Sequence, residues 1–266
     1  LDVSGGKGAS LAKSARELPV PPGVIVTAEA YEQFLAPLRK QITQIVRESS
    51  TEDASAAIQE LVMTTDFDPG WIGDIEAALQ QNGLSDYAVA VRSSGTMEDL
   101  PGAAFAGQHD TFLGERGAES IALAVRRCYA SLWNAHAMKY RDRLGLDHLQ
   151  ASMAVVVQRM VEVSAREAAG VAFSIDPVRG DLTTVLVNAS YGLGETVVGG
   201  EAEVDEYLLS RDGAQEREVR VAHKPQALVV VADGGTEEVA VDAALADRAA
   251  IEQADRAAVA QLAVRA

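Results

Sequence analysis

The pattern of apolar residues changes at Met153, and this change limits the folds that the chain can adopt. Before it, apolar residues recur mainly at helical spacing; after it, short β-rich runs follow one another, separated by turn signals such as VRGD and SRDG. Consecutive strands joined by tight turns pair in antiparallel fashion. We therefore predict an α+β fold with a helix-rich first lobe, residues 1–150, and an antiparallel-sheet-rich second lobe, residues 151–266.

Helical spacing and breaker residues predict the elements of the first lobe. Thr27 is expected to cap a helix, and Pro37 to interrupt it before a further helix that reaches Glu48. The pattern predicts helices over Lys7–Glu17, Ala28–Leu35, Glu52–Thr64, Trp71–Gln81 and one long stretch from about Glu115 to Leu144. In the second lobe, the tail from Ala243 to Ala266 is predicted to be one alanine-rich helix.

Charge and cysteine content narrow the function classes. The net charge of −16 argues against binding to the phosphate backbone of DNA or RNA, although a few local cations can still hold a small anion. No apolar run approaches the roughly 20 residues that span a bilayer, and the opening LDVSGGKG does not resemble a signal peptide, so we expect no membrane association. The single Cys128 fits a reducing cytoplasm and falls on an apolar helix face, which predicts a buried thiol.

The segment SGGKGASL, residues 4 to 11, is the first candidate for chemistry. Two glycines allow the backbone to approach a ligand, Lys7 offers a charge, and a helix begins at once. A simple turn at the start of a domain explains the same residues.

The segment AVRSSGTMEDLPGAAFAGQHDTFL, residues 90 to 113, is the second candidate. We expect Arg92 at a strand end, hydroxyls from Ser93, Ser94 and Thr96, and a mobile loop containing Gly102 and Gly107 that closes over a phosphate. The alternative is a surface hairpin in which Arg92 pairs with Glu98 or Asp99.

Two further segments contain candidate ligand contacts. In VNASYGLGETVVGG, a buried strand is expected to end at Asn188, and Gly192, Gly194 and Glu195 follow; the glycines suit backbone packed against a flat ligand or against another loop. The strand VVVQRM, with Gln158, is either the edge of an adenine slot or an ordinary core strand. The four histidines (His109, His136, His148 and His223) show no metal-ligand spacing.

Taken in order, these segments resemble the N-terminal ATP-binding domain of the phosphoenolpyruvate synthase and pyruvate phosphate dikinase family. The matching runs, which span nearly the whole chain, are GGKGASL, LPVPPGVIVTAEAYEQFL, AVRSSGTMEDLPGAAFAGQHDTFL, VVVQRMV, AGVAFSIDPVRGD, VNASYGLGETVVGG and VDEYLL. The run from VDEYLL to GGTEEV, together with AGQHDTFL, looks closer to the rifampicin phosphotransferase branch. The loop departs from the family in one respect, because Gly95 stands where alanine is common.

The resemblance implies an ATP-grasp-type fold in which ATP and Mg²⁺ bind between the two lobes. The β-phosphate passes to a histidine on a separate domain and then to an acceptor, and AMP and phosphate are released. Lys7 and Arg92 would be the catalytic clamps on the phosphates, and Gly107 would belong to the loop over them. The remaining nucleotide contacts implied by the resemblance are Gln158, Met160 and Val161 for adenine and Asn188, Gly192, Gly194 and Glu195 for the wall of the site.

The resemblance also implies further domains. The family's QDIEW-like segment with its acidic metal ligands, its phosphocarrier histidine domain and its acceptor domain are not among these 266 residues. The metal ligands are therefore unassigned, and the chain is expected to be the nucleotide-binding part of a larger enzyme. We expect a rifamycin-like antibiotic or another hydroxyl compound as acceptor. The alternatives are a phosphoenolpyruvate synthase, which uses pyruvate, and a non-catalytic nucleotide-binding module.

Overall fold

The chain forms two compact units. A computed structural model describes residues 3–96 and 110–266, and the units divide after Met160. The change in sequence pattern placed the boundary after residue 150. The division falls later because the strand Met153–Arg159 pairs on both sides with strands of the first unit.

The first unit packs helices around a four-stranded antiparallel sheet with the strand order β1-β4-β2-β3. Its strands are β1 (Gly23–Val26), β2 (Val89–Gly95), β3 (Thr111–Glu115) and β4 (Met153–Arg159). Its helices are α1 (Gly5–Ser14), α2 (Ala28–Leu35), α3 (Arg39–Glu48), α4 (Thr51–Thr64), α5 (Trp71–Gln81), α6 (Ala118–Ser131) and α7 (Ala135–Leu144), with short 3-10 turns at Ala36–Leu38 and His148–Gln150.

The long helix predicted from Glu115 to Leu144 is wrong, because the stretch contains two helices. The Asn134 side chain accepts the backbone N–H of Ala137 at 2.7 Å, and this capping bond begins α7. Asparagine competes with the helical backbone in this way and so favours a helix start over a helix interior. Gly145 then ends α7 in the left-handed conformation.

One face of the sheet carries the core of the first unit. Val89, Val91, Val155 and Val157 are buried on this face and pack in one cluster with residues of the surrounding helices. Inside the same cluster, the indole N–H of Trp133 donates to the hydroxyl of Tyr31 at 3.1 Å. This bond satisfies a polar group that would otherwise be costly to bury.

Cys128 lies in this core and is fully buried. Burial raises the pKa of its thiol above the ordinary range. The prediction of a buried structural thiol is therefore confirmed, since a reactive cysteine needs a lowered pKa and access to solvent.

The second unit contains a four-stranded antiparallel sheet and a separate two-stranded pair. The strands are β5 (Ala168–Phe173), β6 (Thr184–Tyr191), β7 (Asp205–Ser210) and β8 (Glu216–Arg220), in that order across the sheet, and the pair β9 (Gln226–Val230) with β10 (Thr236–Ala240). The helices are α8 (Glu195–Gly199), α9 (Ala243–Ala246) and α10 (Gln253–Arg265). Helix α10 packs on one face of this sheet.

A buried carboxylate organises the second unit and explains why its tail is not one helix. Asp205 and Lys224 are both fully buried and form an ion pair of 2.6 Å. The Asp205 carboxylate also accepts the backbone N–H of Ala222 and of Ala250, and the hydroxyl of Tyr207. The bond to Ala250 draws the chain between α9 and α10 toward the sheet, so the predicted helix over Ala243–Ala266 is split.

The α+β fold with antiparallel sheets, predicted from the sequence, is confirmed. Of the helices formed by residues 3–96 and 110–266, none combines the length and the apolar character needed to cross a bilayer.

His148 links α7 to the turn before β4 and is nearly buried. Its Nδ1 accepts from Nε of Arg141 at 3.1 Å, and its Nε2 lies 2.9 Å from the carboxylate of Asp142. This geometry requires a neutral ring with its proton on Nε2. Burial and the Arg141 guanidinium lower the pKa of His148, and together they outweigh the opposing effects of Asp142 and Asp147.

The lowered pKa of His148 predicts a loss of stability in mild acid. The unfolded chain protonates this histidine below its ordinary pKa of about 6.5, whereas the folded chain resists protonation to a lower pH. The free energy of unfolding should therefore fall as the pH drops below about 6.5, by at most about 1.4 kcal/mol per pH unit from this group. Urea unfolding between pH 7.5 and pH 5 measures this slope.

Matched histidine variants isolate the contribution of His148 to that slope. His148→Gln should show a shallower dependence of unfolding free energy on pH than the unsubstituted protein. His136→Gln, which changes an exposed histidine on α7, should keep the original slope. Identical slopes in all three proteins would contradict the assignment.

Candidate functional site

Lys7 lies in the first turn of α1, which begins at Gly5 rather than at the predicted Lys7. Its ammonium group donates to the backbone carbonyl of Ser93 at 2.9 Å. A residue near the start of the chain is thus held beside the residue that follows Arg92.

Arg92 lies inside β2 and not at a strand end, since the strand continues to Gly95. It pairs with Val156 of β4 on one side and with Thr111 of β3 on the other. Its side chain is half-buried, and among the described residues its guanidinium has no hydrogen-bond or ion-pair partner. Glu98 and Asp99, the partners in the alternative hairpin, lie outside the described residues.

The sheet register puts Arg92 and Gln158 on the same face. Side chains alternate along a strand, so Arg92 points away from the core face that carries Val91. Gln158 stands two residues beyond Val156, the partner of Arg92, and therefore shares its face as a diagonal neighbour. Helix α1 also lies on this face, because Gly8 approaches the side chain of Ile25, the β1 partner of Val156.

The adenine candidates are already partly engaged within the first unit. The Gln158 amide donates to the carbonyl of Pro21 at 3.0 Å. Met160 is buried, its backbone N–H donates to Ala88, and its sulfur accepts the N–H of Gly114 at 3.0 Å. Val161, the first residue of the second unit, is 67% exposed.

The three hydroxyls at the end of β2, which were expected to contact a ligand, instead donate hydrogen bonds to backbone carbonyls. Ser93 donates to the carbonyl of Asp110, Ser94 to that of Ser4 and Thr96 to that of Ser152. The sequence marked these side chains as polar, but only the fold shows which carbonyls they reach.

In the second unit, Asn188 lies inside β6, which continues to Tyr191 rather than ending at Asn188 as predicted. Its Oδ1 atom is buried and lacks a hydrogen-bond partner in the part of the chain that the structure describes. The hydroxyl of Ser190, two residues further on the same face, is also buried and also lacks a hydrogen-bond partner among the described residues. Buried polar atoms without a partner are uncommon, and a bound ligand is one explanation.

Gly192 is explained by a close backbone contact with β9. Its φ is +80°, and a Cβ there would lie 2.4 Å from the carbonyl oxygen of Leu228. The sequence left open a flat ligand or another loop as the partner of these glycines; the structure shows β9 against Gly192. Gly194 caps α8 in ordinary helical conformation, and Glu195 is exposed at the first position of this short helix.

The remaining sequence candidates fall outside the described residues or lack a cluster. Gly107, together with Gly102 and His109, belongs to residues 97–109, which the structure does not describe. Over the described ranges, no group of three or more His, Cys, Asp or Glu side chains could hold a metal ion. No metal ligands are therefore assigned.

Comparison with known proteins identifies the family. The family described as "Pyruvate phosphate dikinase, AMP/ATP-binding domain" matches residues 1–266. The chain belongs to this family. Its α+β fold is thus that of a pyruvate phosphate dikinase-type ATP-binding domain, and Lys7, Arg92 and Gln158 lie in the same unit of it.

Relatives of this ATP-binding domain are considerably longer proteins. The phosphoenolpyruvate synthase of Aeropyrum pernix is 40% identical over 242 residues, which cover 86% of this chain and 29% of the relative. The probable phosphoenolpyruvate synthase of Methanothermobacter thermautotrophicus is 37% identical over 275 residues, which cover 98% and 40%. The phosphoenolpyruvate synthase of Aquifex aeolicus is 40% identical over 230 residues, which cover 79% and 26%. The chain thus spans well under half the length of each of these relatives.

Gly5 offers a test of how the domain seats Lys7. A Cβ at Gly5 would lie 2.2 Å from the backbone oxygen of Ser94, so Gly5→Ala should push α1 away from β2. Gly83→Ala is a matched control, because Gly83 has the same φ of +64° but nothing within 4 Å of its Cβ position. We expect Gly83→Ala to cost about 1–2 kcal/mol of stability from the backbone conformation alone, and Gly5→Ala to cost more.

Thermal unfolding and Mg·ATP titration of the two glycine variants measure these effects. Gly5→Ala should also weaken Mg·ATP binding, whereas Gly83→Ala should leave it unchanged. Equal losses in both variants would show that the left-handed backbone, and not the contact with Ser94, determines the cost.

Proposed function

We propose that this ATP-binding domain serves an AMP-forming phosphotransferase of the phosphoenolpyruvate synthase type, acting in the cytoplasm. With consumption of water, the β-phosphate of ATP passes to a histidine of another domain, and AMP and phosphate are released. The phosphohistidine then phosphorylates pyruvate. The observation that carries the proposal is the placement of Lys7 beside the strand residue that follows Arg92, with Arg92 unpartnered in the described chain.

The two cations suit a polyphosphate. Arg92 projects from a strand held on both sides by neighbouring strands, so its position is fixed before any ligand binds. Lys7 comes from the first turn of a helix, where backbone N–H groups add positive potential. Preorganised cations stabilise the charge on the oxygens of a transferring phosphoryl group. ATP would bind as its Mg²⁺ complex.

The remaining predicted contacts serve the nucleoside and the wall of the site. Gln158 shares the face of Arg92, and we assign its Oε1 as an acceptor for adenine, while one N–H of its amide donates to Pro21. The N–H of Met160 is bonded to Ala88, which leaves the backbone of Val161 as the adenine donor. In the second unit, the unpartnered Oδ1 of Asn188 fits a ligand donor, with Gly192, Gly194 and Glu195 in the segment that follows.

The acceptor that fits the comparisons best is pyruvate. The relatives described above are named phosphoenolpyruvate synthase or probable phosphoenolpyruvate synthase. Their names favour this acceptor over the rifamycin-like compound expected from the sequence. The retained Lys7 and Arg92 argue against the third alternative, a module that binds nucleotide without turnover.

The clamp residues are tested by charge removal. Lys7→Ala and Arg92→Ala should each weaken Mg·ATP binding by about tenfold or more, because a hydrogen bond to a charged group contributes about 1.5–3 kcal/mol. Isothermal titration with Mg·ATP measures the dissociation constants. Lys13→Ala, at the exposed end of α1, and Arg47→Ala, at an exposed position of α3, are the controls and should bind like the unsubstituted protein. Unchanged affinity in both clamp variants would overturn the site.

The reaction is tested in the full-length protein that contains this chain. Phosphorus NMR should show ATP converted to AMP and phosphate, together with phosphoenolpyruvate when pyruvate is present. Formation of ADP in place of AMP would contradict the proposed chemistry. If turnover depends on rifampicin and not on pyruvate, the acceptor is the antibiotic. The proposal of an AMP-forming reaction would then still hold.

A further inference from the structure

We propose that Ser94 is a positioning residue that holds Lys7 in register with Arg92. The inference rests on the proposed function of Lys7 and Arg92 as the phosphate clamp. In this role, the buried Ser94 hydroxyl connects α1 and β2, the two elements from which Lys7 and Arg92 project.

The Ser94 hydroxyl connects β2 to the first turn of α1. The side chain is fully buried, and its Oγ donates to the carbonyl of Ser4 at 2.9 Å. The same Oγ accepts the backbone N–H of Gly8 at 3.2 Å. Ser4 C=O and Gly8 N–H are the groups that close the first turn of an α-helix, so one hydroxyl bridges both ends of the turn that contains Lys7.

The missing side chain of Gly5 makes this bridge possible. A Cβ at Gly5 would lie 2.2 Å from the backbone oxygen and 2.3 Å from Oγ of Ser94. Since real Cβ atoms do not approach so closely, only glycine permits α1 to lie directly on β2. The short separation lets the Ser94 side chain, with a single carbon before its oxygen, reach the helix backbone.

The bridge fixes Lys7 with respect to Arg92. Lys7 lies between Gly5 and Gly8 in the bridged turn, and its ammonium bonds the carbonyl of Ser93, the residue between Arg92 and Ser94. Lysine has a long side chain with many rotamers, so the backbone from which it projects must be held if the ammonium is to be preorganised. Without the hydroxyl, Ser4 and Gly8 can bond each other or water, but the side-chain connection to β2 is lost.

A double-mutant cycle separates positioning from simple stabilisation. Ser94→Ala should weaken Mg·ATP binding about tenfold when Lys7 is present and cause no further loss in a Lys7→Ala background, because its effect is transmitted through Lys7. Ser131→Ala is the matched control, since Ser131 is also buried and its hydroxyl bonds a backbone carbonyl within α6 at 2.8 Å. We expect the control to lower thermal stability without changing the dissociation constant.

Turnover of the full-length protein gives a second readout. Ser94→Ala should raise the KM for ATP and leave the KM for pyruvate unchanged. A variant that only lost folded protein would lower kcat and leave both KM values unchanged.

The outcomes distinguish the inference from the proposed function. If Ser94→Ala leaves ATP affinity unchanged, or weakens it equally in both backgrounds, the positioning role is overturned while the clamp stands. If Lys7→Ala itself leaves affinity unchanged, Lys7 is not part of the clamp, and the positioning role of Ser94 is overturned with it.

Discussion

The antiparallel pairing of β2 with β4 is the constraint on which the candidate site depends. The register runs without a break from Val89 opposite Arg159 to Gly95 opposite Met153. A slip of one residue in the pairing of β2 with β4 would turn Arg92 toward the core and bring core valines to the face that now carries Arg92. The valines on the core face oppose such a slip, because each loses its buried apolar contacts if it is turned outward. Hydrophobic packing on one face thereby fixes the position of a charge on the other.

Close backbone contacts between elements explain several glycines that a sequence reading assigns to a ligand. Gly5 permits α1 to approach β2, and Gly192 permits the chain after β6 to approach β9. Gly170 in β5, which was not a sequence candidate, likewise lies so close to β6 that a Cβ would be 2.0 Å from the backbone oxygen of Asn188. In each case the nearest atoms belong to protein backbone. A glycine-rich run therefore indicates that some of its glycines permit a close approach, but only the fold shows which glycines these are and what they approach.

The sequence predicts local features best. Helices α2 and α5 have the predicted bounds because breaker residues and apolar periodicity coincide there. The misassigned elements depend on contacts between distant residues. The tail helix is interrupted where Ala250 bonds Asp205, and neither residue marks this contact in the sequence. The split between α6 and α7 is different, because it depends on a local residue. An asparagine inside a long helical pattern, here Asn134, is itself a signal for a helix N-cap.

The same distinction applies to the site. Lys7 and Arg92 could be selected as candidates from the sequence, because one follows two glycines and the other an apolar run, but a turn and a surface hairpin explained the same residues. The length of β2 and the bonds of Ser93, Ser94 and Thr96 could not be read from the sequence, because they depend on Ser4, Asp110 and Ser152, which lie far away in the chain. Long-range partners are chosen by packing and not by local pattern.

Arg92 differs from many other arginines of this acidic chain, because it has no partner among the described residues. With 39 acidic residues against 23 basic ones, carboxylates are abundant, and many arginines are paired with them or with rings. Arg179, Arg217 and Arg220 form ion pairs, and Arg159 lies over the ring of Tyr87. Arg92 is half-buried and has no such partner among the described residues. Partial burial of an unpaired charge has a cost in free energy. In the proposed clamp, an anionic ligand would supply the partner that Arg92 lacks among the described residues and would remove this cost on binding.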